Sequence, residues 1–87
     1  MYEFIVGCDI SKETFDVSYH SKDESVYLGQ YDNRETGFKK LIKRIVKLTQ
    51  ADKSTWLIVF ENTGIYSKEI KYYFIKNGIP CVEENPL

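Results

Sequence analysis

The sequence predicts an α/β fold: a five-stranded mixed sheet with two helices. Three observations carry that expectation. Residues 2–8 and Trp56–Phe60 are apolar runs without alternation, which read as strands inside a covered parallel sheet. Residues 14–19 and 25–31 alternate apolar and polar side chains, the period of strands with one solvated face. Residues 33–49 and 66–77 carry apolar side chains at three-and-four spacing, the stripe of an amphipathic helix.

The first strand ends abruptly on the carboxylate of Asp9. The short polar link Ile10-Ser11-Lys12-Glu13 then returns the chain antiparallel beside it. In the second strand Phe15, Val17 and Tyr19 share one face, and the third, more polar strand has the character of an edge. Asn33 is placed to cap the first helix, whose buried stripe is expected to be Phe38, Leu41, Ile42, Ile45 and Leu48. The fourth strand repeats the pattern of the first by ending on an acid, Glu61. The second helix turns Ile70, Tyr73 and Phe74 inward and is closed by Gly78 and Pro80, after which Cys81-Val82 begins a short fifth strand.

Burial decides the topology. Strands one to three form an antiparallel meander, and a helical crossover returns strand four parallel to either strand three or strand one. Beside strand three it would leave the apolar first strand on an edge, so the expected order is 3-2-1-4-5 with strand two antiparallel to the rest. Asp9 and Glu61 then leave adjacent parallel strands at one rim, with backbones about 5 Å apart. Two carboxylates that close repel unless a cation or proton lies between them, and an all-oxygen pair suits Mg²⁺ or Mn²⁺ rather than zinc. Such a site supports hydrolysis or transfer at a phosphodiester. The plainer reading leaves both acids as strand ends facing solvent.

With 87 residues the chain is expected to be a single domain, residues 1–87, without internal repeat. Its 43% hydrophobic and 29% charged residues are ordinary for a soluble globular protein, and no apolar run approaches the ~20 residues of a membrane span. No basic stretch followed by an apolar segment and a cleavage site opens the chain, so a cytoplasmic location is expected. Cys8 and Cys81 lack the spacing of thiolate metal ligands and read as reduced core residues. A net charge of -1 gives no global attraction to nucleic acid; contact with DNA must be local or come from elsewhere in a longer polypeptide. Asn85-Pro86-Leu87, directly after a strand-like run, looks like a cut inside a larger protein.

The segments Gly7-Cys8-Asp9-Ile10-Ser11-Lys12 and Glu61-Asn62-Thr63-Gly64-Ile65-Tyr66, with the closing Asn85-Pro86, resemble the N-terminal catalytic domain of the DEDD-type insertion-sequence transposases, the Piv/MooV-like recombinases. The resemblance spans the whole chain. It implies the ribonuclease-H-like, RuvC-like fold of Holliday-junction resolvases, four acids that bind divalent metal, and cleavage and joining of DNA strands. Asp9 matches the first acid and Glu61 the second; the other two belong to polypeptide beyond Leu87. Cys8 and Asn62 depart mildly from the small or aliphatic residues usual there. The full protein is thus expected to be a metal-dependent DNA transposase and this piece alone inactive. By resemblance the full protein also carries a further domain with a serine implicated in strand exchange, works as a homo-oligomer and is guided by an element-encoded RNA.

Other residues carry two readings each. Lys12 follows the Asp9 turn and can contact a phosphate, or is simply an exposed turn lysine. Thr63 and Gly64 open a helix at the same rim, where free N–H groups can hold a phosphate oxygen or merely cap the helix. Lys39, Lys40, Lys43, Arg44 and Lys47 make either a backbone-contacting patch or a solvated helix face. His20 stands at a strand end with no partner legible in the sequence. Two rivals come from other classes. An actin-like or sugar-kinase-like nucleotide-binding half begins with the same strand order, but wants glycine after the acid where Ser11-Lys12 stands. A noncatalytic module would keep the fold and use its sheet edge or helix face for partners.

Overall fold

A computed structural model describes residues 3–61 and 64–84. Its strands are β1 (Phe4–Ile10), β2 (Thr14–His20), β3 (Ser25–Asp32), β4 (Trp56–Phe60) and β5 (Cys81–Glu83); its helices are α1 (Glu35–Thr49) and α2 (Lys68–Lys76). The strands form one sheet in the order β3-β2-β1-β4-β5. β2 runs antiparallel to β1 and β3, while β1, β4 and β5 are mutually parallel. The order and directions are those expected from burial.

Period-two alternation sorts the sheet into two unlike faces. Val6, Cys8 and Ile10 of β1, Phe15 and Val17 of β2, and Trp56, Ile58 and Phe60 of β4 all turn to the face that meets Phe38, Leu41 and Ile45 of α1 and Ile70 and Phe74 of α2. Aromatic rings knit that layer. Phe38 lies 5.9 Å from Phe15 and 6.3 Å from Phe74, and Phe74 lies 6.4 Å from Phe60. A Lys71–Glu83 ion pair of 3.1 Å ties α2 to β5.

The expectation that β1 and β4 are covered on both faces fails for the described residues. Ile5 is 41% exposed and Val82 44%, and Leu57 and Val59 are half-buried. Handedness is the reason: both helical crossovers step the same way across the sheet, and right-handed crossovers in one direction place both helices on one face. The other face stays open, and it is the face onto which Asp9 projects.

Several boundaries also differ. β1 runs on through Asp9 because pairing with β2 continues at Asp9↔Asp16 and Ile10↔Phe15, until the Ser11 N–H donates to Thr14 O at 2.9 Å. Arg34 rather than Asn33 is the residue before the first helical turn, and it makes no side-chain cap. Leu48 is 47% exposed, so the buried stripe stops one turn short of the helix end. A single 3-10 turn, Ile65–Ser67, precedes α2, delaying the α-helix to Lys68. Gly78 closes α2 as expected, with φ 75 and its N–H donated to Ile75 O at 3.0 Å. Among the described residues no helix is long and apolar enough to cross a membrane.

Candidate functional site

The site begins where β1 and β4 part. Their last paired positions are Cys8 and Phe60, and the Glu61 N–H then donates to Cys8 O at 3.0 Å. That bond carries the parallel ladder one residue further and sets Glu61 beside Asp9. Alternation puts both carboxylates on the open face, and both residues are exposed. A third acid lies on the same face across β2: Asp16 is the direct partner of Asp9. Its Oδ1 is already engaged, accepting from Tyr27 Oη at 2.7 Å and from Gln30 Nε2 at 3.5 Å. The same bond raises the Tyr27 phenol above its ordinary range, because donating to a carboxylate favours the protonated form.

Behind the acids the floor of the site is Gly7. A Cβ there would lie 3.3 Å from Glu61 Oε1 and 3.5 Å from His20 Nε2. The Glu61 side chain therefore reaches back over bare backbone, and the His20 imidazole reaches the same spot from β2. Beneath the sheet, Cys8 is fully buried and its thiol is pushed well above the ordinary range by burial, so it takes no part in surface chemistry.

Asn33, expected as a helix cap, does something else. Its Nδ2 donates to Ser11 O at 2.9 Å and to Tyr66 O at 3.0 Å, and its own backbone N–H donates to Glu13 O at 2.9 Å. One side chain thus clasps the turn after Asp9 to the segment that follows Glu61. Its Oδ1 is buried and has no partner among the described residues.

The remaining expected residues are distributed unevenly. Lys12 is exposed in the β1–β2 turn. Gly64 is exposed, but its N–H points to Ser67 Oγ at 3.4 Å while its carbonyl accepts from the same hydroxyl at 2.9 Å, a local turn rather than an open row of donors. Thr63, Asn62 and Asn85-Pro86 lie outside the described residues. Sequence reasoning missed His20, Gly7 and Asn33. A signal for the first two existed: Asp16, Ser18 and His20 alternate onto the face opposite Phe15 and Val17, and a lone glycine inside an apolar strand marks close approach.

A family model described as a transposase, of the DEDD and IS110 type, matches residues 6–87. The chain belongs to that family. Among solved structures, YeaZ from Pseudomonas aeruginosa superposes with a TM-score of 0.55 at 12% identity, covering 100% of this chain and 45% of that one, a likeness of fold alone. The curated relatives are basic phospholipase A2 homologs: blK-PLA2 of Bothrops leucurus and BnSP-7 of Bothrops pauloensis are 28% identical over 83 residues, 92% of this chain and 59% of theirs. Bothropstoxin-I of Bothrops jararacussu matches at the same identity over 52% of its length. Identity that low assigns no second family. The chain spans little more than half the length of these relatives.

Proposed function

We propose that this chain forms the first part of the ribonuclease-H-like catalytic domain of a transposase that cleaves and joins DNA strands with Mg²⁺ or Mn²⁺, the metal being held partly by Asp9 and Glu61. The observation that supports the reading is the extension of the β1–β4 ladder by the Glu61 N–H, which makes the exposed residues Asp9 and Glu61 neighbours along the backbone at one rim of the sheet. The donor set fits a hard cation: carboxylate oxygens from a residue of β1 and from the residue just past the end of β4, over a floor with no side chain to obstruct them. Among the described residues no three His, Cys, Asp or Glu side chains converge on one point.

When bound, the metal would polarise the phosphodiester and stabilise charge on the attacking and leaving oxygens. The residues of this chain hold and orient. Asp9 and Glu61 fix the edge of the site on two strands, Asn33 keeps the adjoining turns together, and the bare backbone at Gly7 leaves room above the sheet. Lys12, exposed in the turn after Asp9, is a candidate phosphate contact, and the sequence offers Thr63 and Gly64 for the same role. DNA is the proposed substrate, and assembly as a homo-oligomer in the cytoplasm with an element-encoded RNA belongs to the same proposal.

Asp9→Asn and Glu61→Gln in the full-length protein test it. Each removes one charged ligand oxygen, so metal-dependent strand cleavage should be lost while DNA association persists. The 87-residue chain alone should bind Mn²⁺ weakly and cut nothing. Undiminished cleavage by full-length Asp9→Asn would sink the metal assignment, and failure of that variant to fold would give Asp9 a structural role instead.

A further inference from the structure

We infer that the outer face of α1 is a second DNA-contacting surface, which grips the phosphate backbone of a duplex on the far side of the sheet from Asp9; this rests on the reading of the chain as part of a DNA transposase. Residues 39–47 hold five of the chain's twelve lysines and arginines and none of its thirteen acids, so a chain of net charge -1 is strongly cationic along this one segment. The helix sorts these residues. With 3.6 residues per turn, Lys39, Lys43 and Lys47 make one row, about 6 Å between successive members, and Lys40 and Arg44 lie beside it. All five are exposed, and both rows lie on the side of α1 opposite the buried Phe38, Leu41 and Ile45. Those three pack on the covered face of the sheet, so the cations look away from it and from the open face onto which Asp9 projects.

A solvated helix face is the plainer reading, and the stripe departs from it. Such faces usually interleave acids and bases so that residues four apart attract. Here Glu35 reaches Lys39 at 4.0 Å, while Lys40, Lys43, Arg44 and Lys47 form no ion pair among the described residues. Lys39 with Lys43, Lys43 with Lys47 and Lys40 with Arg44 are like charges four apart, which weakens the helix that carries them and which a bound polyanion would offset. At the end of the stripe Arg44, Lys47 and the exposed Leu48 line a hollow of about 290 Å³, two cations beside an apolar wall. Charge complementarity therefore selects a polyanion, and the lack of aromatic side chains selects a duplex: residues 39–48 offer no ring on which the bases of a single strand could stack. Lysines in a row read backbone phosphates without regard to sequence. DNA held at α1 is not the segment that faces the acids, and holding it needs no metal.

Fluorescence anisotropy of a short labelled DNA duplex, titrated with the 87-residue chain in EDTA over a series of low salt concentrations, tests this. Four unpaired cations predict a slope of log affinity against log salt of roughly -4, the same for two duplexes of unrelated sequence. Lys43→Gln with Lys47→Gln should reduce that slope by about 2 and weaken binding about tenfold or more, with an unchanged thermal melt because both residues are exposed. Lys22→Gln with Lys53→Gln, which removes the same charge from two exposed lysines outside the helices, should bind like the wild type. Equal losses in the two double variants, or no loss in the first, would overturn the stripe, and tighter binding of duplex RNA or of polyglutamate than of duplex DNA would overturn the choice of DNA. Asp9→Asn should leave this binding unchanged. Undiminished cleavage by full-length Asp9→Asn would thus remove the metal reading alone, whereas wild-type DNA affinity in the Lys43→Gln, Lys47→Gln chain would remove the stripe alone.

Discussion

Replacing Asn33 with aspartate should unlatch the rim of the sheet, and by more than alanine does. The Nδ2 group donates to Ser11 O at 2.9 Å and Tyr66 O at 3.0 Å, while Oδ1 is buried and without a partner among the described residues. Asn33→Ala loses both bonds, worth about 1 kcal/mol each, but it also removes the unsatisfied acceptor and leaves two carbonyls that water can reach, for a net cost of about 1 kcal/mol. Asn33→Asp keeps the shape and turns the donor into a charged acceptor facing both carbonyls, a cost of about 3 kcal/mol. In a domain of this size 1 kcal/mol moves the melting temperature by about 4–8 °C, so alanine should lower it by roughly 5 °C and aspartate by roughly 15 °C. The pH dependence has a definite sign. Opposite two carbonyls the new carboxyl regains a donor by taking up a proton, so its affinity for protons is higher in the folded state than in the unfolded one. Relative to wild type, the aspartate variant should therefore gain stability as pH falls toward the ordinary carboxyl range near about 4. Thermal melts followed by circular dichroism at neutral and acidic pH measure both effects. An aspartate variant that melts with the alanine variant at pH 7, or a gap that acid does not narrow, would refute the clasp.

Three further outcomes are expected. Gly37→Ala should destabilise by about 2 kcal/mol in denaturant unfolding although alanine usually favours a helix, because the new Cβ would fall 2.8 Å and 2.9 Å from the Asp32 C and N atoms, with the carbonyl oxygen nearer still. Gly64→Ala, with nothing within 4 Å and an extended backbone at φ 171, is the neutral control. Burial pushes both thiols up, Cys81 to about 11 from 9.0 and Cys8 further, so alkylation near pH 8 should be slow, with half-buried Cys81 reacting before Cys8. Because the unfolded thiols ionise first, stability should fall as pH rises from about 9 toward 11, and a chain equally stable across that window would contradict it. Finally, the open face with exposed Ile5 and Val82 should drive concentration-dependent self-association of the isolated chain, and light scattering that reports a monomer at high concentration would count against it.

Much of the fold was legible because each choice had a single buried answer. The continuous apolarity of β4 and the alternation of β2 gave their limits within a residue, and keeping the apolar first strand off an edge was enough to choose its neighbour. What failed was the step from apolar strand to covered strand. Val6 and Cys8 are fully buried while Ile5 is exposed, so a run that looks doubly apolar is covered on one side by α1 and α2 and bare on the other. Hydropathy reads side-chain type and carries no record of which crossovers supply the cover; handedness does, and it would have placed both helices on one face. The helix start failed differently. Asn33 has the chemistry of a cap, but its amide is spent on two distant carbonyls, 22 and 33 residues away along the chain, a demand that no local pattern encodes.

The candidate site divides along the same line between local and non-local information. Asp9 and Glu61 could be found because each follows an apolar strand, and parallel register converts two such endings into neighbours without any knowledge of side-chain packing. His20 could not be found that way. It sits at the far end of β2 from Asp16, four residues from the position opposite Asp9, and by strand register alone it belongs to the wrong end of the sheet. It approaches only diagonally, toward the one position of β1 that lacks a side chain, and Glu61 leans back toward the same glycine from the β4 side. The glycine that lowers the strand's own propensity thus leaves the space toward which side chains from β2 and from the end of β4 both lean. A valine there would improve the strand but crowd both side chains, which ties the odd residue in the most apolar strand to the open face rather than to the stability of the sheet.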